Sequence, residues 1–146
     1  MVTQMLQSRH VPHEMQRSAS ESAGKVLFAP LRLRLKSGKF REPDLVLLLN
    51  AADARRHNEY WDGADLVIEV VSPDDPDRDW ITKRREYAQS GIAEYWIVDP
   101  RIQTLTVFSL KQGAYIEHGH FERSARATSA LLTDFTVDVA DVFDAR

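Results

Sequence analysis

At 146 residues, 43% hydrophobic and 28% charged, the chain reads as one soluble globular domain built on a single core. No apolar run approaches the roughly 20 residues that span a bilayer, and the opening MVTQMLQSRHVPHEMQRS is too polar for a secretory signal, so a cytoplasmic protein without membrane contact is expected. The absence of cysteine excludes disulfides and thiolate metal sites. A net charge of −3 excludes an overall basic coat for nucleic acid, although not a local groove. The charges are in fact segregated. Between Gly24 and Arg41 every charged residue is basic (Lys25, Arg32, Arg34, Lys36, Lys39, Arg41), whereas acidic residues crowd from Glu42 to Asp79.

Residues 1–23 have a weak helical pattern that Pro12 would interrupt. VLFAPLRLRL then reads as a strand, in which Leu31, Leu33 and Leu35 alternate with Arg32, Arg34 and Lys36 as on a half-buried surface. KSGK signals a hairpin turn into FREPDLVLLL, a second strand that is continuously apolar after Asp44. Residues 50–63 form a polar loop. DLVIEVV is apolar on both faces, as a central strand should be. After a turn rich in Pro and Asp, DWITKRREYAQSG predicts a helix with Asp79 as N-cap and Gly91 just past its end. EYWIVDP, TLTVFSL and AYIEHGHF supply further strands, and the tail closes with a short helix from about Asp138. This order predicts an α/β (α+β) domain around a central mixed sheet flanked by helices.

Glu69 is the anomaly in this pattern. A carboxylate inside an apolar strand is costly unless it has a partner, a proton or a metal. Strand alternation sets Asp65, Val67, Glu69 and Val71 on one face. If the preceding strand is a neighbour, Asp44 meets Glu69 at the sheet edge. Two such carboxylates repel unless a proton or cation lies between them, and hard oxygen donors suit Mg²⁺ or Mn²⁺, with the Val70 carbonyl as a third ligand. Other roles stay open: Asp44 as a cap on a backbone group, and Glu69 in an ion pair with Arg84 or Arg85.

EPDLVLLL, DLVIEVVSP and DRDWITKRREYAQSGIAEYWIVDP together resemble the Uma-type restriction-endonuclease family of the PD-(D/E)xK nuclease superfamily. The likeness runs from about Gly24 to the C-terminus and implies a restriction-endonuclease-like fold. It further implies that Asp44 and Glu69 hold the metal, and that a lysine orients the attacking water. The superfamily places that lysine two residues after the glutamate, where this chain has Val71. The Uma-type pattern takes it from the following helix, which points to Lys83, with Tyr87 one turn later. The implied reaction is phosphodiester hydrolysis in DNA: the cation polarises the phosphate and lowers the pKa of a bound water, and Lys83 offsets developing charge. Family members begin with an acidic strand region and a long first helix. This chain is atypical or truncated there, with Pro12 in the helix and Glu14 as the candidate acid.

Arg32, Arg34 and Lys36 are the expected contacts to the DNA backbone, and cutting both strands calls for two sites and hence a homodimer. A catalytically inactive nuclease-fold module for DNA binding or oligomerisation is the alternative. A plain interaction domain with an ion-paired Glu69 is the third reading. Asp75, Asp77, Asp79 and Glu86 have the spacing of a calcium loop, but Trp80 replaces the glycine that its turn needs. The pairs His10/His13 and His118/His120 lack a third ligand nearby, and Trp61, Trp80 and Trp96 are expected to pack.

Overall fold

Two carboxyl-bearing strands and the helix after them are brought together by a mixed six-stranded sheet in the computed structural model, which describes residues 25–28 and 31–144. The strands are β1 (Lys25–Phe28), β4 (Leu45–Leu48), β6 (Leu66–Val70), β7 (Glu94–Asp99), β8 (Thr104–Lys111) and β9 (Ala114–Phe121), which lie side by side in that order. Only β6 and β7 are parallel. A parallel pair requires a crossover, and the chain provides it with a helix whose first half, Arg78–Lys83, is π-helical and whose second half is α1 (Arg84–Gln89). Gly91, at φ +77°, ends the crossover in the left-handed region that glycine tolerates.

Both faces of the sheet are covered, which explains why β4, β6 and β7 are buried along almost their whole length and apolar apart from Glu69, Glu94 and Asp99. On one face Leu45, Leu47, Ile68, Trp96 and Val98 pack against the C-terminal region, where β10 (Arg126–Thr128) pairs with β11 (Thr136–Asp138) and leads into α2 (Val139–Asp144). On the other face Val46, Leu48, Val67 and Tyr95 pack against Tyr87 of α1 and against a small second sheet. That sheet has the order β3 (Phe40–Arg41), β2 (Arg32–Arg34), β5 (Tyr60–Trp61). Its inward residues Leu33 and Trp61 are fully buried, while Arg32 and Arg34 face water as the alternation predicts. The helices therefore share the flanking role with the small sheet.

Four local expectations are corrected. The segment read as one strand from Val26 to Leu35 is two: β1 pairs with β4 in the large sheet, whereas β2 pairs with β3 and β5. FREPDLVLLL likewise divides into β3 and β4, because Pro43 has no N–H to give to a ladder. The loop at 50–63 contains β5. Asp79 is not the helix cap; the cap position is Asp77, whose side chain caps nothing, and Asp79 is buried inside the π-helical turn. Among the described residues, no helix is long and apolar enough to cross a membrane.

Candidate active site

β4 and β6 run antiparallel with Leu45 opposite Ile68, and the same register carried one residue further sets Asp44 opposite Glu69. Both carboxylates are buried, with 1% and 0% of their surface exposed. The Val70 N–H donates to Asp44 Oδ2 (2.7 Å), so Asp44 replaces the ladder partner that β6 lacks at its end. This satisfies the capping role considered for Asp44. Neither Arg84 nor Arg85 reaches Glu69; Arg84 lies over the Phe108 ring, 4.2 Å from its centre.

The partner of Glu69 is Lys83, whose ammonium donates to Oε2, while the Tyr87 hydroxyl donates to Oε1 (3.2 Å). Lys83 also lies 2.9 Å from Asp79 Oδ1, a close charge contact without the alignment of a good hydrogen bond. Asp79 in turn accepts the Ser72 N–H at Oδ2 (3.3 Å), which ties the start of the helix to the end of β6. The π-helical stretch, with its wider i→i+5 turns, is the segment that carries both Asp79 and Lys83. Sequence reasoning missed Asp79 as a member of this cluster. The available signal was its i,i+4 spacing to Lys83.

The electrostatics follow from burial. Desolvation pushes the Glu69 carboxyl up to about 8, the charges of Asp44 and Asp79 push the same way, and Lys83 opposes them. Burial alone would lower the Lys83 pKa, but Glu69 and Asp79 outweigh it and the ammonium is held above its ordinary value. Burial, and then the neighbouring Glu69, raise the Tyr87 phenol well above its ordinary value, so it acts as a hydrogen-bond donor and not as a proton-transfer group.

The other predicted residues lie apart from this cluster. Arg32 and Arg34 are on the outer face of the small sheet, and Lys36 is exposed beyond it. Arg34 is paired with Asp62 (2.5 Å). Lys39 and Arg41 converge on Glu86 of α1 (2.7 and 2.8 Å) and fasten the small sheet to the helix beside Tyr87. Trp61 and Trp96 are fully buried, and Trp80 donates to Asp99. His118 bonds Thr128 and His120 bonds Thr106, whereas His10, His13, Pro12 and Glu14 lie outside the described residues. The acidic loop spends its charges internally: Asp75 pairs with Arg78 and Glu86 with the small sheet, so the calcium reading has no support. Among the described residues, no group of three His, Asp or Glu side chains is arranged to hold a metal.

The mixed sheet with its crossover helix is a restriction-endonuclease-like fold. The chain superimposes on the crystal structure of a protein titled a "putative nuclease belonging to DUF820" from Anabaena variabilis, with a TM-score of 0.70 at 18% identity, covering 92% of this chain and 78% of that one. The model of the family Uma2, described as "Putative restriction endonuclease", matches residues 11–140. The chain belongs to the Uma2 family, so the resemblance carried by EPDLVLLL, DLVIEVVSP and EYWIVDP is one of membership. A search of the curated proteins gives no match.

Proposed function

We propose that the protein is a metal-dependent DNA endonuclease that hydrolyses phosphodiester bonds, acting as one restriction-endonuclease-like domain in the cytoplasm. The observation that carries this reading is the buried facing pair Asp44 and Glu69 with the Lys83 ammonium on it, in a chain of this family. The donor set fits Mg²⁺ or Mn²⁺: two hard carboxylates, with the charge of Asp44 raising the proton affinity of Glu69. Asp44, Glu69 and the Val70 carbonyl would hold the ion, which when bound supplies polarisation of the scissile phosphate and neutralises charge in the transition state.

The chain's own groups do the rest. Lys83 keeps its proton, being stabilised by two carboxylates, and so can orient a water and offset the charge that builds on the phosphate. Tyr87 is a positioning residue: its hydroxyl holds Glu69 Oε1 and its ring is buried against Tyr95. Arg32, Arg34 and Lys36 contact the DNA backbone, and a homodimer supplies the second site for the second strand.

A plasmid-nicking assay with Mg²⁺ or Mn²⁺ tests the reading. Nicking by the wild-type chain that is abolished in Glu69→Ala is the expected result. Nicking that persists in Glu69→Ala, or that needs no divalent cation, would overturn it. One observation favours the catalytically silent module instead: both Glu69 oxygens are already engaged, and neither carboxylate is open to solvent. Calorimetric titration with Mn²⁺ separates the two, because a closed ion pair takes up no metal.

A further inference from the structure

The outer face of the small sheet has a feature that phosphate contacts alone do not require. The pairings Arg34 with Phe40 and Arg32 with Tyr60 put these four residues on one face, opposite the buried Leu33 and Trp61. There they interleave diagonally. The Arg32 guanidinium lies 4.0 Å from the centre of the Phe40 ring, and the Arg34 guanidinium 5.1 Å from that of Tyr60. The two rings meet edge to face over β2 at 5.8 Å, and His57 leans on Tyr60 at 4.8 Å and 31°. Phe40 nevertheless leaves 36% of its surface in water.

We infer that this face is a stacking platform for unpaired bases of single-stranded DNA, joined to the proposed cleavage site by a short stretch of chain. The choice of DNA rests on the nuclease reading; the platform itself does not. The exposed part of the Phe40 ring, the edge of the half-buried Tyr60 ring and the guanidinium planes laid over them offer flat surfaces on which any base can stack, and the cations follow the phosphates. Arg34 is fixed by Asp62, which also takes His57 (3.0 Å), so part of the platform is preorganised. Arg32 has no carboxylate partner among the described residues, which leaves its edge N–H groups for a phosphate while its face rests on Phe40. Every outward residue of the Arg32–Lys36 segment is cationic, which suits a polyanion. Duplex DNA hides its base faces and gains nothing from the rings.

The location supports the same occupant. β3 continues through Glu42 and Pro43 directly to Asp44, so Phe40 is four residues from a proposed metal ligand. Four residues span at most about 14 Å, or about four nucleotides at duplex rise. A strand that stacks on Phe40 and Tyr60 therefore lies within a few nucleotides' length of the carboxylate pair, and the substrate class of the proposed site becomes DNA with an unpaired segment.

Binding measured with chelator present keeps this inference separate from cleavage. The probes are oligothymidylate, a duplex of equal length, and oligouridylate, each at several salt concentrations. We expect oligothymidylate to bind more tightly than duplex. Phe40→Ala or Tyr60→Ala should weaken oligothymidylate about five- to 150-fold, the range for loss of one base–aromatic stack, while the duplex is little affected. Arg32→Lys keeps the charge and should preserve the salt slope while still losing affinity. Should the alanine variants fold poorly, wild-type protein with a strand carrying 2-aminopurine gives the same answer: stacking quenches its fluorescence. Unchanged oligothymidylate affinity in folded ring variants, or no quenching, would overturn the platform. Tighter binding of oligouridylate than oligothymidylate would overturn the assignment to DNA. Failure of plasmid nicking with selective strand binding intact would refute only the nuclease reading.

Discussion

Replacing Lys83 by Met tests how much of the buried cluster depends on one ammonium. The Lys83 side chain is 13% exposed and that of Glu69 1%, so the pair belongs to the buried class and not to the weak surface class. Removing the lysine leaves Glu69 without its counter-charge and Asp79 without its own. Breaking such a pair from one side costs about 3–5 kcal/mol. For a domain of this size that corresponds to a fall of roughly 10–17 °C in melting temperature. Glu69→Gln should cost less, about 1–2 kcal/mol, because the amide can still accept from Tyr87 and Lys83 retains Asp79. The double variant Lys83→Met/Glu69→Gln has no buried unpaired charge on Glu69, so it should be more stable than Lys83→Met alone by at least about 1 kcal/mol. Urea denaturation at about pH 9, above the value of about 8 at which Glu69 ionises, with chelator present and extrapolated linearly, measures all three. A Lys83→Met variant within about 0.5 kcal/mol of wild type, the spread of ordinary surface substitutions, would refute the reasoning. It would mean that Glu69 is simply protonated and needs no partner.

The remaining expectations concern DNA affinity, pH and rescue. Replacing Arg32, Arg34 and Lys36 together by alanine should reduce the salt slope of DNA binding by about 2, short of the full value for three contacts because Arg34 is already paired with Asp62; an unchanged slope would leave the segment a solvated face. Burial would raise the Asp99 carboxyl, but donation from Arg101 and Trp80 prevails and holds it below its usual 3.8. Its contribution to stability is thus complete above that value and is lost as pH falls further, so Asp99→Asn should be less stable than wild type near neutrality, with the gap closing below about pH 4. Urea midpoints across the acid range that show a constant gap would exclude this linkage. Lys83→Ala should lower the nicking rate about 10²–10³-fold, and adding Val71→Lys should recover part of it, read as rate per bound metal; a double variant no better than Lys83→Ala would show that the strand position cannot replace the helix.

Most of the sheet was legible because its central strands are apolar on both faces, and the alternation of Leu33 and Leu35 with Arg32, Arg34 and Lys36 reported the side that is buried. The sheet to which a strand belongs was not legible. Val26 to Leu35 gives one unbroken extended pattern, and only the pairing of β1 with β4 and of β2 with β3 and β5 reveals two elements. The pairing of Asp44 with Glu69 could be reached from sequence because strand alternation and the family pattern agree on it. Asp79 could not, since cap preferences are local, whereas its burial depends on Lys83 and on the Ser72 N–H. Glu94 shows the limit of treating a buried carboxylate as a functional signal. It begins an apolar strand much as Asp44 does, yet it accepts from Ser129 Oγ (2.5 Å), Trp96 Nε1 (2.9 Å) and the Ala130 N–H (2.7 Å), and so fastens the C-terminal region to the sheet.

The contrast between Val71 and Lys83 shows what a lysine on the helix gains over one on the strand. Val71 is 2% exposed and belongs to the same apolar cluster as Val67, Tyr87 and Tyr95. An ammonium placed there would have to lose nearly all of its hydration before it reached Glu69. Lys83 approaches from the helix, with 13% of its side chain in contact with solvent, and meets two carboxylates that keep it charged. It is also the most solvent-accessible group in the cluster, since Asp44, Glu69, Asp79 and Tyr87 are each at 2% or less. A phosphate that approaches the carboxylate pair along the Lys83 side therefore meets a positive charge before it meets two negative ones. On the proposed function, the same ammonium that permits Glu69 to be buried would mark the side from which a polyanion reaches it.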